Sequence, residues 1–235
     1  MAEKIVICLP TYNERETLPL ILPRIFAAVP EAQVLVIDDK SPDGTGTLAE
    51  ELAAQDQRVS VLHRETKEGL GLAYRDGFRF ALEKFSPEFI VQMDTDLSHP
   101  PETLPEMLAM IEDADLVLGS RYVNGGGVKN WGMHRKLLSR FGSLYARIWL
   151  GLPYHDLTGG FKLWRSDLLQ KVLANPVFAG GYAFQVEMTF HAHRLGGRIR
   201  EVPIMFADRE DGHSKMSLAI ALEALWKVPM LRWKT

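Results

Sequence analysis

The sequence predicts an α/β fold, a mostly parallel, doubly wound sheet flanked by helices. Three observations carry this expectation. Short apolar runs alternate with stretches of helical periodicity from Ile5 to about Leu118, the pattern of repeated strand–helix units. Polar or acidic clusters directly follow several runs, at Pro10–Glu14, Asp38–Asp39 and Asp94–Asp96, so such a fold would bring them to one rim of the sheet. The chain has 235 residues, 46% of them hydrophobic, enough for one large core.

Taken in order, Lys4–Leu9 reads as the first strand, an apolar run closed by Pro10. Pro10–Glu14 is a loop, and a helix is expected from about Arg15 to Phe26. Gln33–Ile37 is the second strand and ends in Asp38–Asp39. Ser41-Pro42-Asp43-Gly44 supplies proline and glycine at turn positions before a helix from Thr45 to Gln55. Val59–Leu62 is a third strand, and Gly69-Leu70-Gly71 opens a long helix to about Phe85. Phe89–Met93 is a short apolar strand of the kind buried in a parallel sheet. Pro100-Pro101 then opens a helix to Ile111, since proline suits the first helical turn. Leu116–Leu118 is a further strand.

The second half is less regular. Gly125-Gly126-Gly127 reads as a flexible loop. Between Arg135 and Leu150, residues Leu137, Leu138, Phe141, Leu144, Tyr145, Ile148 and Trp149 share one helical face. His134, Arg135, Lys136, Arg140 and Arg147 accompany them, and two readings stay open: a core-facing helix, or one lying on a membrane surface. Asp156–Phe161 is a loop entering a strand, Gln185–Leu195 a helix, and Ile199–Phe206 a strand. Asp208–Lys215 is a charged loop, and the segment from Ser217 to Trp233 is amphipathic.

Several function classes are disfavoured. A net charge of −3 gives no footprint for nucleic acid. The single cysteine, Cys8, permits no internal disulfide and fits a reducing compartment. No run approaches the roughly 18–20 apolar residues that span a bilayer, so a soluble or peripheral protein is expected. Gly69-Leu70-Gly71 lacks the third glycine of a dinucleotide fingerprint, and neither a GxxxxGK[ST] loop nor a GxSxG turn occurs.

What remains is acids at strand ends with cations on loops. In extended chain, Asp94 and Asp96 would project to the same side. Oxygen ligands at that spacing suit Mg²⁺ or Mn²⁺, ions that usually carry phosphate oxygens as well. Taken alone, the same two residues serve equally as turn formers or helix caps. Arg121, Arg135, Arg209 and Lys215 are candidate phosphate clamps, because arginine forks phosphate oxygens and lysine meets them as a point charge.

Six ordered motifs then carry a family resemblance: Pro10–Glu16, Asp38–Gly44, Met93–Pro100, Gly119–Tyr122, Asp156–Phe161, and Asp208-Arg209 with Ser214-Lys215. Together they resemble the dolichyl-phosphate mannose synthases, inverting family-two glycosyltransferases of the GT-A fold. The resemblance runs from about Ile5 to Ser217. It implies a GT-A catalytic domain over residues 1–216 and an amphipathic tail over 217–235 without a transmembrane segment. It implies transfer of mannose from GDP-mannose to dolichyl or polyprenyl monophosphate, with inversion and with Mg²⁺ or Mn²⁺ as cofactor. Residue by residue, Pro10, Tyr12, Glu14, Ile37 and Asp39 would line base and ribose. Asp94 and Asp96 would face metal, diphosphate and sugar, with the Thr95 backbone and Ser98 beside them. Asp96 and Arg121 would carry catalysis. Arg209 and Lys215 would hold donor phosphates, and Arg121 and Arg135 the acceptor phosphate. Lys40 and Thr95 depart from the family's usual residues, and neither change removes a carboxylate. The resemblance also implies a cytoplasmic protein, peripheral at the cytoplasmic face of a membrane, and allows a membrane-anchoring partner subunit. Two rival functions are a family-two transferase using UDP-glucose or another nucleotide sugar on a lipid phosphate, and a non-catalytic nucleotide-sugar-binding subunit.

Overall fold

Seven strands form the central sheet of the computed structural model, in the order β3-β2-β1-β4-β7-β5-β8. Described are residues 4–129, 131–175, 181–207 and 227–232. The strands are β1 (Ile5–Thr11), β2 (Gln33–Asp38), β3 (Val59–His63), β4 (Phe89–Gln92), β5 (Leu116–Ser120), β7 (Lys162–Arg165) and β8 (Ile199–Pro203). β6 (Gly127–Val128) and β9 (Met205–Phe206) pair in a separate two-stranded ribbon. The helices are α1 (Leu18–Ala28), α2 (Thr45–Gln55), α3 (Leu70–Phe85), α4 (Leu104–Ile111), α5 (Met133–Leu150), α6 (Ser166–Leu173) and α7 (Gly181–Arg194).

The central strands β1, β2 and β4 are mostly apolar because both faces of the sheet are covered there. Side chains alternate between faces. Ile5, Ile7, Leu9, Val34, Val36 and Val91 therefore pack with α1 and α4, while Val6, Cys8, Leu35, Ile37 and Ile90 pack with α3, α6 and α7. Each fully buried side chain of this type stabilises the fold by roughly 1.5–3 kcal/mol. Gly77 lets α3 settle onto β2, since a Cβ there would fall 2.1 Å from Ile37 Cδ1.

Four features differ from the sequence expectation. β7 enters between β4 and β5 and runs antiparallel to both. The expected strand Ile199–Phe206 divides at Ile204, where Pro203, lacking an N–H, ends β8. The glycine-rich loop closes into β6, whose Gly127 N–H donates to Ile204 O. β4 stops at Gln92, so Asp94 and Asp96 stand on a turn rather than in extended chain. The ladder ends with Met93 N–H donating to Cys8 O; the next N–H, of Asp94, goes to His99 Nδ1.

α5 has an unusual division of its faces. Ser139, Ser143, Ala146 and Leu150 are buried, a stripe at helical spacing. Met133, Leu137, Phe141, Leu144 and Ile148 stand outward, 49% to 70% exposed. The large apolar face is therefore not core-facing. Residues 227–232 are helical, and Val228 and Leu231 pack with Ala146, Leu150, Val186 and Phe190. The expected boundary at 216/217 lies outside the described residues.

Candidate active site

The parallel strands β1, β2, β4 and β5 end on one rim, which gathers most of the residues singled out in the sequence. At its centre is the turn after β4. Asp94 Oδ1 accepts a 2.7 Å hydrogen bond from Tyr74 Oη on α3. Thr95 Oγ1 donates to Pro10 O at 2.9 Å and ties the turn to β1. Asp96, 6% exposed, accepts from the Ser98 N–H at 3.1 Å and from the Ser98 hydroxyl through the same Oδ1. Leu97, directly after Asp96, adopts φ +64°, a left-handed conformation disfavoured for a branched side chain, and so stores strain at the end of the turn.

His99 is buried and stacks on Phe161, with ring centroids 5.2 Å apart. Its Nδ1 accepts the Asp94 N–H, which puts the proton of the neutral ring on Nε2. Burial holds its pKa below the ordinary histidine value. Gly160 stands beside it. A Cβ there would lie 3.4 Å from His99 Cε1, 3.4 Å from Gln185 Nε2 and 3.6 Å from Asp94 Oδ2.

On the β2 side, Asp38 is spent on local structure: it accepts from Thr11 Oγ1 at 3.1 Å and from Ser41 Oγ at 2.6 Å. Asp39 pairs with Arg64 Nη1, and Arg64 also holds Asp76 at 2.9 Å and Glu68 at 3.1 Å. Burial raises the Asp39 pKa in spite of Arg64. Ile37 has its side chain in the core, so only its backbone belongs to the rim. Tyr12 carries Lys67 Nζ 3.3 Å from its ring centroid. The Glu14 N–H donates to Thr45 Oγ1 at 3.0 Å, and its carboxylate accepts from Thr17 Oγ1 at 2.7 Å. An open cavity of about 590 Å³ lies here, lined in part by Lys40, Ser41, Thr47, His63, Arg64 and Thr66. Its lining does not include Asp94 or Asp96.

On the β5 side, Arg121 is buried and bidentate to Asp156, Nε to Oδ2 and Nη2 to Oδ1, both 2.7 Å. The rings of Tyr122, Trp131 and Phe206 stand 5.2–5.5 Å from its guanidinium. Burial alone would raise the Asp156 pKa, but Arg121 outweighs it and the net shift is downward. Arg135 lies in the first turn of α5, and its side chain is outside the described residues, as are Arg209 and Lys215.

Among the described residues no three His, Cys, Asp or Glu side chains converge as a metal cage. Two carboxylates nonetheless fit Mg²⁺ or Mn²⁺, which are commonly held by one or two acids with substrate phosphates and water completing the shell. Asp94 Oδ2 lies 3.6 Å from where a Gly160 Cβ would stand. Sequence reasoning missed Tyr74, Arg64 and Gln185, all remote in sequence from the groups they serve, and also His99. Only the His99 spacing, five residues from Asp94, offered a local signal.

A family model described as Glycosyl transferase family 2 matches residues 6–173. Undecaprenyl-phosphate mannosyltransferase of Micrococcus luteus is 52% identical over 98% of this chain and 93% of its own length. Polyprenol monophosphomannose synthase of Mycolicibacterium smegmatis is 46% identical over 96% of this chain and 86% of its own. Among solved structures, glucosyl-3-phosphoglycerate synthase from Mycobacterium tuberculosis, in complex with Mn²⁺, UDP and phosphoglyceric acid, superposes with a TM-score of 0.69 at 21% identity. The match covers 98% of this chain and 78% of that one.

Proposed function

The chain belongs to glycosyl transferase family 2 and has the GT-A fold, and from that premise we propose that it moves mannose from GDP-mannose to a polyprenyl monophosphate with inversion. It is a glycosyltransferase; the mannosyl donor and lipid acceptor are read from the names of its two polyprenyl-phosphate relatives. The observation that carries the reading is the Asp94–Asp96 pair, fixed on the rim by Tyr74 and Ser98.

In this reading Pro10, Tyr12, Glu14, Asp39 and the Ile37 backbone take the nucleoside, beside the 590 Å³ cavity at the ends of β2 and β3. Asp94 and Asp96 would hold Mg²⁺ or Mn²⁺, with the Thr95 backbone and Ser98 supporting them. When bound, the cation supplies charge neutralisation to the departing diphosphate. Arg121, oriented by Asp156, faces the acceptor phosphate. Arg135, Arg209 and Lys215 enter on the sequence alone.

The acceptor has a second pKa near ~6 and is largely a dianion at neutral pH. One of its oxygens attacks the anomeric carbon, the bond from that carbon to the diphosphate oxygen breaks, and GDP leaves with the electron pair. No proton moves, so no general base is required. The residues contribute placement and fixed charge.

The outward apolar face of α5 gives the enzyme its contact with the bilayer that carries the acceptor. Phe141 and Ile148 would enter the interface while Lys136, Arg140 and Arg147 meet anionic head groups. This makes the protein peripheral at the cytoplasmic face, and a membrane-anchoring subunit is the rival occupant of the same face. No helix among the described residues is long and apolar enough to cross a membrane.

A transfer assay with radiolabelled donors tests the reading. GDP-mannose, UDP-glucose and a dTDP-sugar are each offered with polyprenyl phosphate. Labelled lipid formed from GDP-mannose alone is expected, and label incorporated only from another donor contradicts it.

A further inference from the structure

We propose that Tyr74 is a positioning residue for the carboxylate that meets the metal: its hydroxyl holds Asp94 through Oδ1 and leaves Oδ2 for the cation. The inference rests on the reading above, in which Asp94 serves the cation and the donor diphosphate.

Tyr74 is fully buried on α3, which packs over β1, β2 and β4. Its ring is sandwiched by Phe78, with centroids 5.5 Å apart, and by Phe184 of α7, 6.3 Å away and inclined by only 4°. Gly71 lets the two helices close on this stack, because a Cβ there would meet Phe184 Cγ at 3.0 Å. The phenol is therefore held on both faces, and its oxygen reaches Asp94 Oδ1 at 2.7 Å. At that distance the phenol hydroxyl donates to the carboxylate. From the other side the Asp94 backbone is fixed by His99. One carboxylate oxygen is thus spent on orientation, and Oδ2 is left for the cation.

Groups that orient a metal ligand from behind typically change metal affinity 10- to 100-fold when removed. Tyr74→Phe deletes one oxygen and keeps the aromatic stack. Mn²⁺ is titrated by electron paramagnetic resonance in the presence of GDP, on wild type, Tyr74→Phe, Asp94→Asn and Phe78→Leu, each with a thermal melt. Tyr74→Phe is expected to weaken Mn²⁺ binding on the order of 10- to 100-fold, with metal-free GDP affinity unchanged. Phe78→Leu, which disturbs the stack but not the hydroxyl, is expected to lower the melting temperature and keep wild-type Mn²⁺ affinity. Wild-type Mn²⁺ affinity in Tyr74→Phe, alongside weakened binding in Asp94→Asn, overturns the inference alone. Equal losses in Tyr74→Phe and Phe78→Leu also overturn it, since packing would then explain both. Absence of Mn²⁺ binding by the wild type, or unchanged binding by Asp94→Asn, overturns the site reading itself.

Discussion

Arg121 and Asp156 meet through two parallel hydrogen bonds of 2.7 Å in a site where both side chains are almost wholly buried. Asp156 Oδ2 also accepts the Arg121 N–H at 3.0 Å, and Oδ1 accepts the Gly159 N–H at 3.1 Å. The pair therefore joins the end of β5 to the loop that carries Gly160 into β7.

Removing one member of a buried pair leaves the other charge uncompensated, typically at 3–5 kcal/mol. Asp156→Ala is expected to lose about that much stability in urea unfolding, together with most turnover. A loss below about 1 kcal/mol would place the pair in a far more hydrated setting.

Gly160→Ala tests whether the donor sits beside Asp94 Oδ2. The added methyl meets its neighbours at 3.4–3.6 Å, ordinary contact distances, so the melting temperature is expected to hold. If the donor diphosphate meets Asp94 there, the methyl crowds it, and kcat/KM for GDP-mannose is expected to fall on the order of 10²-fold, the scale of a 1 Å misplacement of reacting groups. Wild-type kinetics would move the donor away from this position.

Lys162 gives a pH dependence. It is fully buried in β7, and its Nζ donates to Gln185 O at 2.7 Å and to Thr189 Oγ1 at 3.0 Å. Burial lowers its pKa from 10.5 to about 7, against the opposing pull of Asp156. Between those values the unfolded chain binds the proton and the folded chain does not, so stability contributed by this residue rises with pH across that window. Below the lower value both states are protonated and the penalty of burying the charge is complete. Lys162→Met is therefore expected to flatten the rise in unfolding free energy between pH 7 and 10; a wild-type slope in the variant contradicts the assignment.

The outward face of α5 predicts binding to anionic vesicles. Burying Phe141 or Ile148 contributes roughly 1.5–3 kcal/mol each, so Phe141→Ser with Ile148→Ser should lower partitioning on the order of 10²-fold or more. Equal sedimentation of variant and wild type would assign the face to another partner.

The fold was legible where apolar runs were long and bounded: β1, β2 and α3 fall within a residue or two of expectation. A strand was expected after Phe161, but the extent of β7 and its antiparallel place between β4 and β5 were not legible, because it is four residues long and begins with a buried lysine that reads as surface. The helical face of α5 was visible as a pattern, but periodicity does not say which side turns inward. Here the small stripe Ser139, Ser143 and Ala146 packs and the large side chains do not. At the site, the motifs and the family were readable from residue type and order. The Tyr74–Asp94 bond, spanning 20 residues, and the Arg121–Asp156 pairing, spanning 35, depend on tertiary geometry that no local pattern encodes.

The central claim is that the acids after β4 serve mannosyl transfer. Its most direct test is the initial rate of mannose transfer from GDP-mannose to polyprenyl phosphate by Asp96→Ala, with circular dichroism confirming the fold. The account predicts a wild-type melt with transfer reduced to background. A folded Asp96→Ala enzyme turning over at the wild-type rate would contradict it.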